Sequence, residues 1–135
     1  MSAFLDTSGL IAVVNTDDQW HSKAETIWAD LVSSLRRMVT TSLVLIELAD
    51  GLSRLQHRVL AIQIVDRLRD SDRVEIVQSD ESLESRAWQL FRERSDKEWG
   101  MTDCVTMTLM ADRGIDDAFT ADHDFEQAGF TVLLK

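Results

Sequence analysis

The chain contains no proline, a single cysteine and no long apolar run. Without proline, no helix in its 135 residues is broken by a missing backbone donor. Cys104, standing alone, excludes an intramolecular disulfide, and its place in an apolar segment predicts a small core residue. The longest apolar stretches, Leu10 to Val14 and Leu43 to Ile46, fall far short of the roughly 20 residues that cross a bilayer. Nor does the N-terminus carry a basic region followed by a long apolar one, so no signal peptide is expected. A soluble cytoplasmic protein with no membrane partner is the expectation. Low-complexity linkers are absent too, and residues 1–135, 44% apolar, are expected to fold as one domain with a sizeable core.

Basic charge is also scarce: 14 Lys and Arg stand against 24 Asp and Glu, for a net charge of −10. A polyanion-binding protein usually shows a basic footprint, and this chain as a whole does not. The distribution is uneven. Residues 36–97 balance eleven bases against eleven acids, while the two flanking segments are strongly acidic. Arg36, Arg37, Arg54, Arg58, Arg67, Arg69 and Arg73 therefore read either as solvated helix faces paired with nearby acids or as a phosphate track.

What is present alternates between short extended runs and amphipathic helices. Ala3-Phe4-Leu5 predicts a strand that ends at the helix-start residues Asp6-Thr7-Ser8-Gly9. Asp17 and Asp18 are expected to open a helix in which Trp20, Ala24, Ile27, Trp28, Leu31, Val32 and Leu35 form a stripe closing at Arg36-Arg37. Met38 to Thr41 reads as a second strand, with Ser42 capping a helix whose face carries Leu45, Leu48, Leu52 and Leu55. Glu47 interrupts that apolar turn. A helix over Arg58 to Arg69, a strand at Val74 to Val77, and a helix capped by Ser79-Asp80 with Leu83, Ala87, Leu90 and Phe91 inward come next. A buried helix from about Asp103 ends at Gly114, and strands at Ala118 to Thr120 and Thr131 to Leu134 complete the chain. Such alternation implies βαβ units and a three-layer α/β/α domain with a mostly parallel sheet. Ligands in these folds bind beyond the carboxyl ends of the strands, so Asp6 and Asp122, each just after a strand, are expected on one rim.

Taken singly, Asp6, Asp103 and Asp122 each fit a helix cap, and Glu47 fits either the edge of a stripe or a buried carboxylate with a partner. Taken together, they are four acids from separate segments, with no lysine or arginine next to any of them. Two unit charges about 4 Å apart repel by roughly 4 kcal/mol at an effective dielectric of 20. A convergent set therefore needs protons or a hard divalent cation, and Mg²⁺ and Mn²⁺ both take oxygen ligands.

At these residues the sequence resembles the PIN-domain ribonucleases, most closely their VapC-type toxin branch. Phe4-Leu5-Asp6-Thr7-Ser8, Thr41 to Glu47, Thr102-Asp103-Cys104 and Thr120 to Phe125 carry the resemblance, which spans nearly the whole chain. It implies a PIN-like parallel sheet of four or five strands and Mg²⁺- or Mn²⁺-dependent endonucleolytic cleavage of RNA. Asp6, Glu47, Asp103 and Asp122 match the family's acidic quartet, with Asp6 and Asp103 as the main metal ligands. Thr120 matches the hydroxyl that steadies them. The resemblance further implies 5′-phosphate and 3′-hydroxyl products, a homodimer, and inhibition by a cognate antitoxin. Thr106 replaces a serine common in relatives, and Asp124 stands as the alternative fourth acid. His21 matches a recurring family position and is expected to make a structural contact. Three other functions share some of these features. They are an RNA-processing PIN nuclease without an antitoxin, a PIN-like binding module without catalysis, and a phosphoacceptor receiver domain. The receiver lacks both its acceptor aspartate, since the third strand ends in Val77-Gln78, and its late lysine.

Overall fold

A computed structural model describes all 135 residues. Five strands form one sheet in the order β3-β2-β1-β4-β5, every pairing parallel: β1 Ala3–Leu5, β2 Met38–Thr41, β3 Val74–Val77, β4 Asp117–Phe119 and β5 Thr131–Val132. The crossovers are the helices α1 Thr7–Val14, α2 His21–Ser33, α3 Ser42–Gly51, α4 Arg58–Asp70, α5 Glu81–Glu93 and α6 Met101–Arg113, with a short α7 at Asp124–Gln127. Helices α1 to α4 pack as one group and α5 with α6 as another, giving the three-layer α/β/α architecture. No helix is long and apolar enough to cross a membrane.

Strand β1 explains the centre of the sheet. Ala3, Phe4 and Leu5 have no exposed surface, as an unbroken apolar run buried on both faces requires. In register, Phe4 lies beside Val39 on one side and Ala118 on the other. From β1 the chain passes to β2 on one flank and later reaches β4 on the opposite flank, so the β1/β4 gap is a topological switch point. Asp6 and Thr120 leave the sheet at that gap.

One glycine controls how tightly the gap closes. A Cβ on Gly9 would lie 2.1 Å from the Phe119 carbonyl oxygen, so only glycine lets α1 approach the end of β4. That approach brings Ser8 against Thr120.

Several local expectations are met and others shift. Asp80 caps α5 by accepting the Leu83 N–H at 2.8 Å, and Gly114 ends α6 in the left-handed conformation at φ 63°. Cys104 is buried. Helix α2 starts at His21, because the Asp18 carboxylate accepts the Trp20 N–H at 2.8 Å and closes a turn first. It stops at Ser33, where Leu35 turns left-handed at φ 58° and leaves the stripe. Thr41, not Ser42, caps α3 through the Val44 N–H, while the Ser42 hydroxyl accepts the Ser79 N–H after β3. Leu55 lies beyond the end of α3 and is 91% exposed, and Phe91 stacks on Trp88 at the surface instead of facing inward.

Candidate functional site

Asp6 sits at the N-cap position of α1, yet its side chain makes no capping hydrogen bond. Its Oδ2 instead accepts the Thr120 hydroxyl at 2.8 Å. The residue is 5% exposed. Burial pushes its pKa up to about 6 against the Thr120 hydrogen bond, and repulsion from Glu47 and Asp122 adds to the rise.

Thr120 is the hub of a hydroxyl relay. Because it gives its one proton to Asp6, Ser8 must donate in the 2.7 Å bond between the two hydroxyls. Thr120 also accepts the Asp122 N–H, and Ser8 accepts the Ala121 N–H, each at 3.1 Å. The segment after β4 is thereby clamped to the start of α1. Strands far apart in sequence are held in one geometry.

Glu47 lies on the exposed side of α3, where its Oε1 accepts the Thr7 hydroxyl at 2.7 Å. Asp103 occupies the first turn of α6 and is half-buried. Burial pushes its pKa up to about 7, with Asp6, Asp122 and Glu47 repelling it and a hydrogen bond from the Gly100 backbone opposing the shift. The Asp122 carboxylate accepts the Asp124 N–H at 2.9 Å, so it also shapes the turn into α7.

Asp6, Glu47, Asp103 and Asp122 all line one open cleft of about 440 Å³, together with Thr7, Ser8, Ile11, Asp50 and Gly51. No lysine or arginine lines it. Asp124 does not face this cleft; the charges around it are Asp122, His123 and Glu98. Asp122, His123 and Asp124 do form a cluster whose donor atoms lie within 4.8 Å of one another, a set able to bind a metal ion. Asp122 is common to cleft and cluster. A hard divalent cation fits the cleft's donors, since carboxylate and hydroxyl oxygens crowd together there and two of the acids hold protons too tightly for isolated carboxylates.

Three of these residues escaped the sequence reading. Ser8 belongs to a motif that assigns it no role, and neither Asp50 nor His123 is singled out by spacing or pattern alone. Only the Asp122-His123-Asp124 run carried a signal, as three adjacent donors. His21 makes a structural contact, its Nδ1 2.7 Å from the Ala12 carbonyl and its Nε2 3.2 Å from Glu25. Thr106 is fully buried.

The fold and the acidic rim together define a class. The model of the PIN domain matches residues 3–131, and the chain belongs to that family. Within it, the chain is closely related to the 23S rRNA-specific endonuclease VapC20 of Mycobacterium tuberculosis, 34% identical over 131 residues and 96% of each chain. The crystal structure of that VapC20, a sarcin-ricin loop cleaving toxin, covers 96% of both chains with a TM-score of 0.85 and 27% identity. VapBC2 from Rickettsia felis, bound to a promoter DNA fragment, shares the fold at TM-score 0.71 and 16% identity, covering 98% of this chain and 96% of its own.

Proposed function

We propose that residues 1–135 are a single metal-dependent endoribonuclease domain that hydrolyses RNA phosphodiester bonds and serves as the toxin of a toxin–antitoxin pair. The observation that carries this reading is the cleft at the carboxyl rim, lined by Asp6, Glu47, Asp103 and Asp122 and by no cationic side chain. Asp6 and Asp103 are the main ligands for Mg²⁺, with Mn²⁺ as a substitute, and Glu47 and Asp122 bind directly or through water. When bound, such an ion polarises the phosphodiester and lowers the pKa of a water.

The chain's own groups supply the rest. Thr120 holds Asp6 Oδ2 in place, Ser8 holds Thr120, and Thr7 orients Glu47. These bonds present the carboxylates in one preset arrangement, so little reorganisation is needed when substrate arrives. Asp122 fits the role of fourth acid better than Asp124 because it faces the cleft and shares the Thr120 hydroxyl through its backbone N–H.

The relation to VapC20, named for 23S rRNA, makes large-subunit ribosomal RNA the first substrate to test. An RNA substrate implies work in the cytoplasm, with 5′-phosphate and 3′-hydroxyl products. A cognate antitoxin belongs to the same reading, supported by related folds solved as VapBC and FitAB complexes, and the family resemblance adds a homodimer. Expression in an inducible host, with new RNA 5′ ends mapped against an Asp6→Asn control, tests the function. Discrete new ends absent from the control are expected. Identical RNA profiles with both proteins would overturn it.

A further inference from the structure

The fold divides the seven arginines that looked like a phosphate track. Residues that precede β2 and β3 lie at the amino end of a parallel sheet, away from the acidic cleft. Arg36 and Arg37 lead into Met38, Arg67 lies beside Arg73 at the start of β3, and Arg69, at the end of α4, lines the groove between α3 and α4. Arg36 is also committed to Asp117 at 2.9 Å.

Arg54 and Arg58 alone go the other way. They lie between Gly51, which lines the cleft, and the first turn of α4, whose 13 residues span about 20 Å and carry the chain from the carboxyl rim to the start of β3. Both are exposed, and neither forms an ion pair. No carboxylate stands in the first turn of α4 to cancel them. Asp50, on the cleft wall, and Asp66, on the next turns of α4, are the nearest acids in sequence.

We propose that Arg54 and Arg58 grip RNA phosphates flanking the scissile bond. The inference rests on reading the cleft as a nuclease site and adds where the substrate is anchored. An RNA backbone entering a cleft lined by five carboxylates needs cationic contact outside it, and arginine forks match phosphate oxygens. This connection supplies the cations at the lip. Arg58 also borders the apolar groove between α3 and α4, so contact with a protein chain is the rival use of the same side chain.

The test measures binding of a fluorescein-labelled RNA hairpin with a single-stranded loop, in Mg²⁺, to Asp6→Asn protein with and without Arg54→Gln and Arg58→Gln. Two single-strand phosphate contacts contribute about 1.4 to the slope of log affinity against log salt. Removing both should flatten the slope by that amount, so that raising salt from 50 to 200 mM weakens the double variant about sevenfold less. Lys at both positions should keep the slope, and the pair Arg37→Gln, Arg67→Gln should bind as the parent does. In the Asp6-containing enzyme the double variant should raise KM and leave kcat unchanged. Unchanged affinity and slope overturn the proposal, as does loss of self-association in light scattering with the RNA slope intact. If Asp6-containing protein cuts no RNA while the Asp6→Asn protein binds the hairpin through these arginines, the phosphate contact stands and the nuclease reading fails.

Discussion

Two aspartates five residues apart, Asp117 and Asp122, lie at opposite ends of β4 and meet opposite fates. At the amino end, Asp117 is held by Arg36 at 2.9 Å, both side chains about one-quarter exposed. At the carboxyl end, Asp122 faces a cleft shared with Asp6, Glu47 and Asp103, where no arginine or lysine answers them. Asp117 is satisfied within the fold. The cleft leaves its carboxylates for something that arrives from outside, and this unbalanced rim is where two carboxyl pKa values rise to about 6 and about 7. Charge left unpaired in a native fold is a stronger pointer to chemistry than charge alone.

The largest expected effect comes from breaking the unbalanced rim. Asp6→Asn and Asp103→Asn should each lower metal-dependent RNA cleavage by at least about a hundredfold, with circular dichroism unchanged. Near-wild-type cleavage by both variants would remove the contrast between the rims. Thr120→Val comes next. It strips Asp6 of its hydrogen bond and Ser8 of its acceptor, so cleavage should fall roughly 10- to 100-fold in single-turnover assays. Thr120→Ser should restore most of it.

The pH dependence is a gentler probe. Asp6 and Asp103 hold protons more tightly in the folded chain than in the unfolded one, so the stability they contribute is full below about pH 4. It is lost as pH rises through about 6 and about 7. Metal-free protein should therefore lose Tm between pH 5 and about 7.5, and the gain in Tm on adding Mn²⁺ should grow over that window as the ligands deprotonate. Glu75, Asp96 and Asp112, whose pKa values are lowered by arginine partners, act with the opposite sign and below this window. A flat metal increment across it would count against Asp6 and Asp103 as ligands. The smallest effect belongs to the paired aspartate at the other end: Arg36→Met should cost about 1 kcal/mol in urea unfolding and leave cleavage unchanged. A large loss of cleavage there would mean the two ends are not independent.

Local patterns carried much of the fold. The apolar run of β1, the cap at Asp80 and the stop at Gly114 were legible because each depends on neighbouring residues only. Thr41 and Ser42 were not, since either hydroxyl can cap α3 and the choice was made by Ser79 arriving from β3. Leu55 and Phe91 fitted apolar stripes by spacing, but α3 ends before the first and the second stacks on Trp88 at the surface. Ser8 was invisible as part of the relay because its partner Thr120 is 112 residues away.

By itself, the sequence determined the alternation of strands and helices, the four acids at element boundaries and the family resemblance they carry, all of which follow from local propensity and order along the chain. The tertiary structure decided which aspartate lines the cleft and which hydroxyls clamp it. Those are properties of convergence: Asp6, Glu47, Asp103 and Asp122 interact only because parallel strands deliver their carboxyl ends to one side of the sheet.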